Sequence, residues 1–201
     1  MKPTEILSGE HRVIEKVLEC LETMADLCEN RGTLDFQDAA DAISFFQTFA
    51  DRCHHGKEEA HLFPAMEAKG YSRDGGPTGV MLHEHEQGRI LIRRMAARLA
   101  AASDGDRGAQ AEFIEAAREY VELLRQHIQK EDHCLFAMAD RAFDDQDQQR
   151  LLDAFERVER EHAGEGTHEK YLQLARILAY RYNVAGDSPG VGQIPTCRCG
   201  G

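Results

Sequence analysis

With 201 residues, 42% hydrophobic and 30% charged, the chain is long enough for one globular domain with a real core. A formal net charge of −12 without any basic stripe argues against a nucleic-acid partner and suits a protein that attracts metal cations. No apolar run approaches the roughly 18 residues a membrane span needs, and Met1 to Glu10 lack a signal-peptide profile, so a cytoplasmic protein with no membrane partner is expected.

Taken in order, the chain reads as helices separated by short glycine-bearing breaks. From about Thr4 to Asn30, Leu7, Ile14, Leu18, Leu21 and Ala25 recur at helical spacing, with His11 in the same stripe, and Arg31-Gly32-Thr33 ends the run. A second helix, about Asp35 to Lys69, carries Ile43, Phe46, Ala50, His54, Glu58 and Leu62 on one face. The Gly- and Pro-rich stretch Gly70 to Gly79 is a loop. A third helix, about Val80 to Ala102, aligns Met81, Leu82, His85, Ile92, Ala96 and Leu99, and Ser103 to Asp106 turns the chain. A fourth, about Gly108 to Arg141, aligns Phe113, Ala116, Tyr120, Leu124, His127, Glu131 and Leu135. Two further helical pieces follow, about Gln148 to Glu161 and Thr167 to Tyr182, and from Asn183 the Gly and Pro content marks an irregular tail. No sustained period-two alternation signals a strand. The reading is all-α: an up-down-up-down four-helix bundle over 1–142, a C-terminal helical extension packed on it over 143–182, and a tail over 183–201.

One pattern occurs twice. His54 to Phe63 and His127 to Phe136 share His, Lys, Glu, a second acid and Leu-Phe at the same offsets. In an antiparallel bundle, residues equidistant from a turn lie at the same height on the helices it joins. The midpoint of His11 and His54 falls between Gly32 and Thr33, that of His54 and His85 between Lys69 and Gly70, and that of His85 and His127 at Asp106. All three lie at turns, so four inward histidines meet at one level. Glu58 and Glu131, four residues after His54 and His127, project from the same faces about a turn along. His85 follows His11 by 74 residues and His127 follows His54 by 73, so each half supplies two His and one Glu. Two metal ions fit that set, each taking two imidazoles with both carboxylates bridging. Such donors suit iron, manganese or zinc, and positions left open to water or substrate suit iron. Among ten histidines a lone His-x-x-x-Glu arises about once by chance, and His11/Glu15 and His55/Glu59 share the spacing. Two copies in one ten-residue pattern, with two more histidines at matched height, are a different matter, because six such groups buried without a cation are costly.

These residues carry a resemblance. His11, His54-x-x-x-Glu58 followed by Glu59 and Leu62-Phe63-Pro64, Glu84 to Arg89 around His85, and His127-x-x-x-Glu131 with Leu135-Phe136 resemble the hemerythrin-like, or HHE cation-binding, domain over about residues 4 to 141. The segment Glu161 to Gly166 and on to Tyr171 resembles an extension found after the bundle in many bacterial members. The resemblance implies metal ligands at His11, His54, Glu58, His85, His127 and Glu131. It also implies two iron ions, a di-iron centre bridged by oxo or hydroxo oxygen and two carboxylates, that reacts with a small diatomic molecule or peroxide. One departure stands out. Oxygen-carrying members use His-x-x-x-His on the third helix, whereas Met81 and Arg89 lie four residues from His85, and His83 is about 200° around the helix from it. A fifth histidine is therefore missing from the expected set, which argues against simple oxygen transport. It favours members that handle peroxide or repair damaged iron centres. Asp132, five after His127, matches the carrier spacing, but the internal repeat selects Glu131.

The remaining candidates are weaker. His55, Glu59 and His133, adjacent to ligands and about 100° away from them, are expected to face outward or stand behind them. His61, Cys134 and Tyr120 lie seven residues from ligands and read as core or boundary groups, or as relays. His162 and His168 read as packing or solvated groups. Cys20, Cys28, Cys53 and Cys134 are scattered and expected to be reduced thiols, and Cys197-x-Cys199 is a weak candidate for metal or disulfide chemistry. Three roles stay open on the sequence: a sensor of O2 or NO, a peroxide-decomposing enzyme, and a repair protein donating iron to damaged clusters.

Overall fold

The computed structural model describes residues 1–160 and 166–184. The helices, in order, are α1 (Pro3–Arg31), α2 (Phe36–Phe45), the π-helical segments π1 (Phe46–His55) and π2 (Glu58–Leu62), α3 (Phe63–Ala68), α4 (Pro77–Ser103), α5 (Arg107–Lys130), π3 (Glu131–Leu135), α6 (Phe136–Ala142), α7 (Asp145–Val158) and α8 (Thr167–Arg181). From α2 through α3 the chain runs as one bundle helix, and α5 through α6 as another. With α1 and α4 they form the four-helix bundle, and no strand occurs among the described residues.

Local chemistry sets the ends. Pro3 opens α1, where a missing N–H costs nothing, and Gly32 closes it in the left-handed region at φ 65°, its N–H donating to the Cys28 carbonyl at 2.9 Å. Asp35 accepts from the Asp38 N–H at 2.9 Å, and Asp106 from the Ala109 N–H at 2.7 Å, as N-caps of α2 and α5. Asp144 and Asp147 cap each other's backbone, which starts α7 at Asp145, three residues before the start expected from its periodicity. The first turn of α4 packs on the loop before it and needs glycine: a Cβ on Gly79 would lie 2.0 Å from the Arg73 carbonyl oxygen.

The apolar interior divides in two. The larger cluster holds Val17, Leu21, Phe45, Phe49, Met95, Phe113 and Tyr120, and α8 adds Tyr171, Ala175 and Leu178 to it. The smaller one holds Leu7, Phe63, Met66, Met81, Phe136 and Ala139, closed by Leu151 and Phe155 of α7. Along every bundle helix a histidine lies at the seam. His11 falls between Leu7 and Ile14, His54 between Ala50 and Leu62, His85 between Met81 and Leu91, and His127 between Leu124 and Leu135. Cys20, Cys28 and Cys53 are buried free thiols, and Cys134 is exposed. Among the described residues no helix is long and apolar enough to cross a membrane.

Candidate metal centre

His11, His54, His85, His127, Glu58 and Glu131 do meet at the seam, each at most 1% exposed. Their donor atoms fall into two groups, His11 with His54, Glu58 and Glu131, and His85 with His127, His55 and Glu58, the atoms of each group lying within 4.8 Å of one another. Glu58 belongs to both. Glu131 also spans them, with its Oε2 3.2 Å from both His11 Nε2 and His127 Nε2. The Nε2 atoms of His85 and His127 approach to 3.1 Å. Donors bonded at about 2.1 Å to one ion at right angles stand about 3 Å apart, so these spacings fit a shared cation.

The polar bookkeeping points the same way. The Nε2 atoms of His11 and His54, both ring nitrogens of His55 and all four carboxylate oxygens of Glu58 and Glu131 are buried without a hydrogen-bond partner. Such atoms are costly unless something binds them. Burial, and then the neighbouring Glu131 charge, push the Glu58 carboxyl well above its ordinary range. Burial works against the Glu131 carboxylate as well, but His127 and His11 hold it well below that range. Burial presses His54 down to about 4 and His85 to about 3, which keeps both imidazoles neutral and able to ligate. For His127 burial is overridden by Glu131 and Glu84, which push it up to about 9.

Behind each of the four histidines stands a carboxylate. His11 Nδ1 donates to Asp132 at 2.9 Å, His54 Nδ1 to Glu10 at 2.9 Å, His85 Nδ1 to Glu59 at 2.7 Å and His127 Nδ1 to Glu84 at 3.0 Å. An ionised carboxylate only accepts, so Nδ1 carries a proton and Nε2 is the nitrogen that faces the centre. A cation backs each carboxylate in turn: Arg12 on Asp132, Lys57 on Glu10, Arg89 on Glu59 and Lys130 on Glu84. These partners repeat in the sequence, and of that repeat only the Lys-Glu-acid part is picked out by the shared ten-residue pattern. Glu10-His11 recurs as Glu84-His85, and Lys57-Glu58-Glu59 as Lys130-Glu131-Asp132, at the same offsets as the histidines. Asp132 is occupied behind His11, and Glu131 is the acid of that pair that faces the centre.

One expectation needs correction. His55 does not face outward: it is 4% exposed, its ring stacked on His85 at 3.8 Å between centroids, and it joins His85, His127 and Glu58 in the second group. The cause is local. In π1 each residue advances by less than the roughly 100° of an α-helix, so neighbours His54 and His55 both point inward. His55 adds a fifth imidazole to the donor atoms from another helix, and the histidine missing from α4 stays missing. Arg89, at that position, instead donates to Glu59 at 2.6 Å and to Asp51 at 2.8 Å. The other flanking groups lie off the centre. His83, His133 and Cys134 are exposed, Tyr120 is buried against Phe46, and His168 packs on Phe49. His61 is partly buried beside α7, and His162, Cys197 and Cys199 lie outside the described residues.

The family model for the hemerythrin HHE cation binding domain matches residues 2–139. The chain belongs to this family. Hemerythrin HHE domains bind cations, and the paired His/Glu groups at the seam are where this one has the donors to do so. Among curated proteins the chain is 27% identical over 136 residues to an uncharacterized protein of Mycobacterium tuberculosis (strain H37Rv) and, to the same extent, to one of Mycobacterium bovis. Each match covers 66% of this chain and 51% of the relative, so the chain spans about half the length of the curated relatives it matches. No solved structure gives a significant match.

Proposed function

We propose that the centre holds two iron ions and binds or reacts with a small oxidant, O2, NO or peroxide, in sensing or in defence against oxidative or nitrosative stress. The observation that carries this reading is the set of buried, unpartnered donor atoms converging from four helices. His11 and His54 would hold one ion, and His55, His85 and His127 the other, with Glu58 and Glu131 between them. Imidazole with carboxylate suits iron. Bound there, iron supplies redox electrons and open coordination positions.

The chain's own contribution is orientation and exclusion. Four carboxylates fix the imidazoles, as described above. Phe136 stacks on His11 with 5.4 Å between centroids and Phe63 on His85 with 5.8 Å, an apolar surround that limits water. Because His55 supplies a further imidazole, the ligand count does not argue against reversible oxygen binding.

Metal analysis and optical spectroscopy of protein from iron-replete cells test the reading. Two irons per chain, with bands that change on adding azide, peroxide or NO, are expected, and a chain without iron would sink it. Sustained oxygen evolution from peroxide would assign an enzyme. Reactivation of a damaged cluster enzyme by the reduced protein would assign iron donation.

A further inference from the structure

The two halves of the centre repeat closely, except that His55 has Ile128 as its counterpart and that the C-terminal extension touches one half. In one half Lys57 backs Glu10, which accepts from His54. In the other Lys130 backs Glu84, which accepts from His127. Lys130 is a surface residue with 42% of its side chain exposed. Its counterpart Lys57 is wholly buried, because α7 lies over it: the Phe155 ring centroid is 5.9 Å from its Nζ, and Glu159, just past the end of α7, accepts from that Nζ at 2.7 Å. The ammonium is thus held between Glu10 at 2.5 Å and Glu159. A continuous polar chain runs from the buried imidazole through Glu10 and Lys57 to Glu159, whose side chain is 29% exposed.

We propose that Glu159 is a positioning residue for the His11–His54 half of the centre, through which the C-terminal extension sets how tightly that half, and not the other, holds its ion. This rests on the two-ion reading above. The physical reason is charge sharing. A carboxylate on Nδ1 raises the donor strength of the imidazole and fixes its plane. An ammonium bound to the same carboxylate draws charge away from that hydrogen bond. By taking part of the Lys57 charge, Glu159 leaves more of Glu10 for His54. With Glu159 gone, Lys57 turns wholly onto Glu10, and His54 becomes a weaker and looser ligand. Lys130 meets water instead, so the His127 half is insulated from the extension.

The test uses the full chain loaded with Co(II) and stripped by excess EDTA, following release of each ion optically. Removing the direct partner of a metal-bound histidine, here Glu10, typically costs roughly 10- to 100-fold in affinity, and Glu159, two contacts further out, should do less. Glu159→Ala is therefore expected to speed release of one ion by about three- to tenfold and to leave the other unchanged, with Glu159→Gln, which keeps an acceptor but not the charge, in between. Lys130→Ala should leave the Glu159-sensitive ion at its wild-type rate. In a His54→Ala background the Glu159 effect should vanish, whereas a general loosening of the fold would persist there and speed both ions. Two bound Co(II) released at wild-type rates from Glu159→Ala, or both sped alike, overturn this inference while the two-ion centre stands. Fewer than two Co(II) bound by the wild-type chain overturn both.

Discussion

Each imidazole of the centre is aimed by its far nitrogen. Because Asp132, Glu10, Glu59 and Glu84 accept from Nδ1, rotation of the rings is blocked and Nε2 is left free. His55 is the exception, with Asp51 3.5 Å from its Nδ1 and no hydrogen bond to either nitrogen. On the proposed reading it is a ligand held by stacking alone. His55→Ala should therefore weaken binding of one metal by at least about tenfold, measured by competition with a chelator, whereas exposed His133→Ala should leave both unchanged. Proton linkage gives a second test at this scale. In the metal-free protein burial and the Glu131 charge push the Glu58 carboxyl well up, and His127, pushed up to about 9, carries an extra proton at neutral pH. The His127 proton must leave for Nε2 to ligate, so metal uptake at pH 7 should release protons into a weakly buffered indicator solution. Since a raised value means that the proton is bound below it, apparent affinity should rise as pH climbs towards about 9 and fall on acidification.

At the scale of elements, the π-helical turns do what an unbroken α-helix could not. Glu58 and Glu131 each open a π turn at the same place in the repeated stretch, facing the centre, while the acids after them, Glu59 and Asp132, reach sideways to His85 and His11 on neighbouring helices. Regular periodicity puts His55 about 100° from His54, which is why it is expected to face outward or stand behind the ligands. Helix ends and interiors also differ in what a methyl group costs. Gly79→Ala should destabilise the fold by about 2 kcal/mol, because its Cβ would overlap the Arg73 backbone. Gly88→Ala, whose Cβ would meet the Tyr120 ring at 3.4 Å inside α4, should be neutral or stabilise by up to about 1 kcal/mol. Urea titration of the two variants measures both.

Over the whole molecule, α8 completes the core of the bundle. Leu178 is fully buried in the larger apolar cluster, and the Tyr171 hydroxyl is 2.8 Å from Ser44 Oγ of α2. Leu178→Ala should cost about 2 to 5 kcal/mol, as a large-to-small core change does, whereas Ile177→Ala, at a position 46% exposed, should fall within about 0.5 kcal/mol of wild type. If denaturation gave Leu178→Ala wild-type stability, α8 would be an appendage. The extension thus reaches the bundle at both clusters, α8 at one and α7 at the other, with the metal centre between them.

The all-α bundle and the meeting of His11, His54, His85 and His127 with Glu58 and Glu131 could be read from the sequence, because helical period and turn position together set height and facing. The outer acids were also written there, in the repeated Glu-His and Lys-Glu-acid pairs. What tertiary structure alone decided is where periodicity fails or where distant segments meet. His55 turns inward because π1 underrotates. Asp132 turns to His11, 121 residues away in sequence, because the first and fourth helices are neighbours. Lys57 is buried because α7 folds back over it. A linear pattern records which face of a helix a residue is on, but not what the opposite helix brings to meet it.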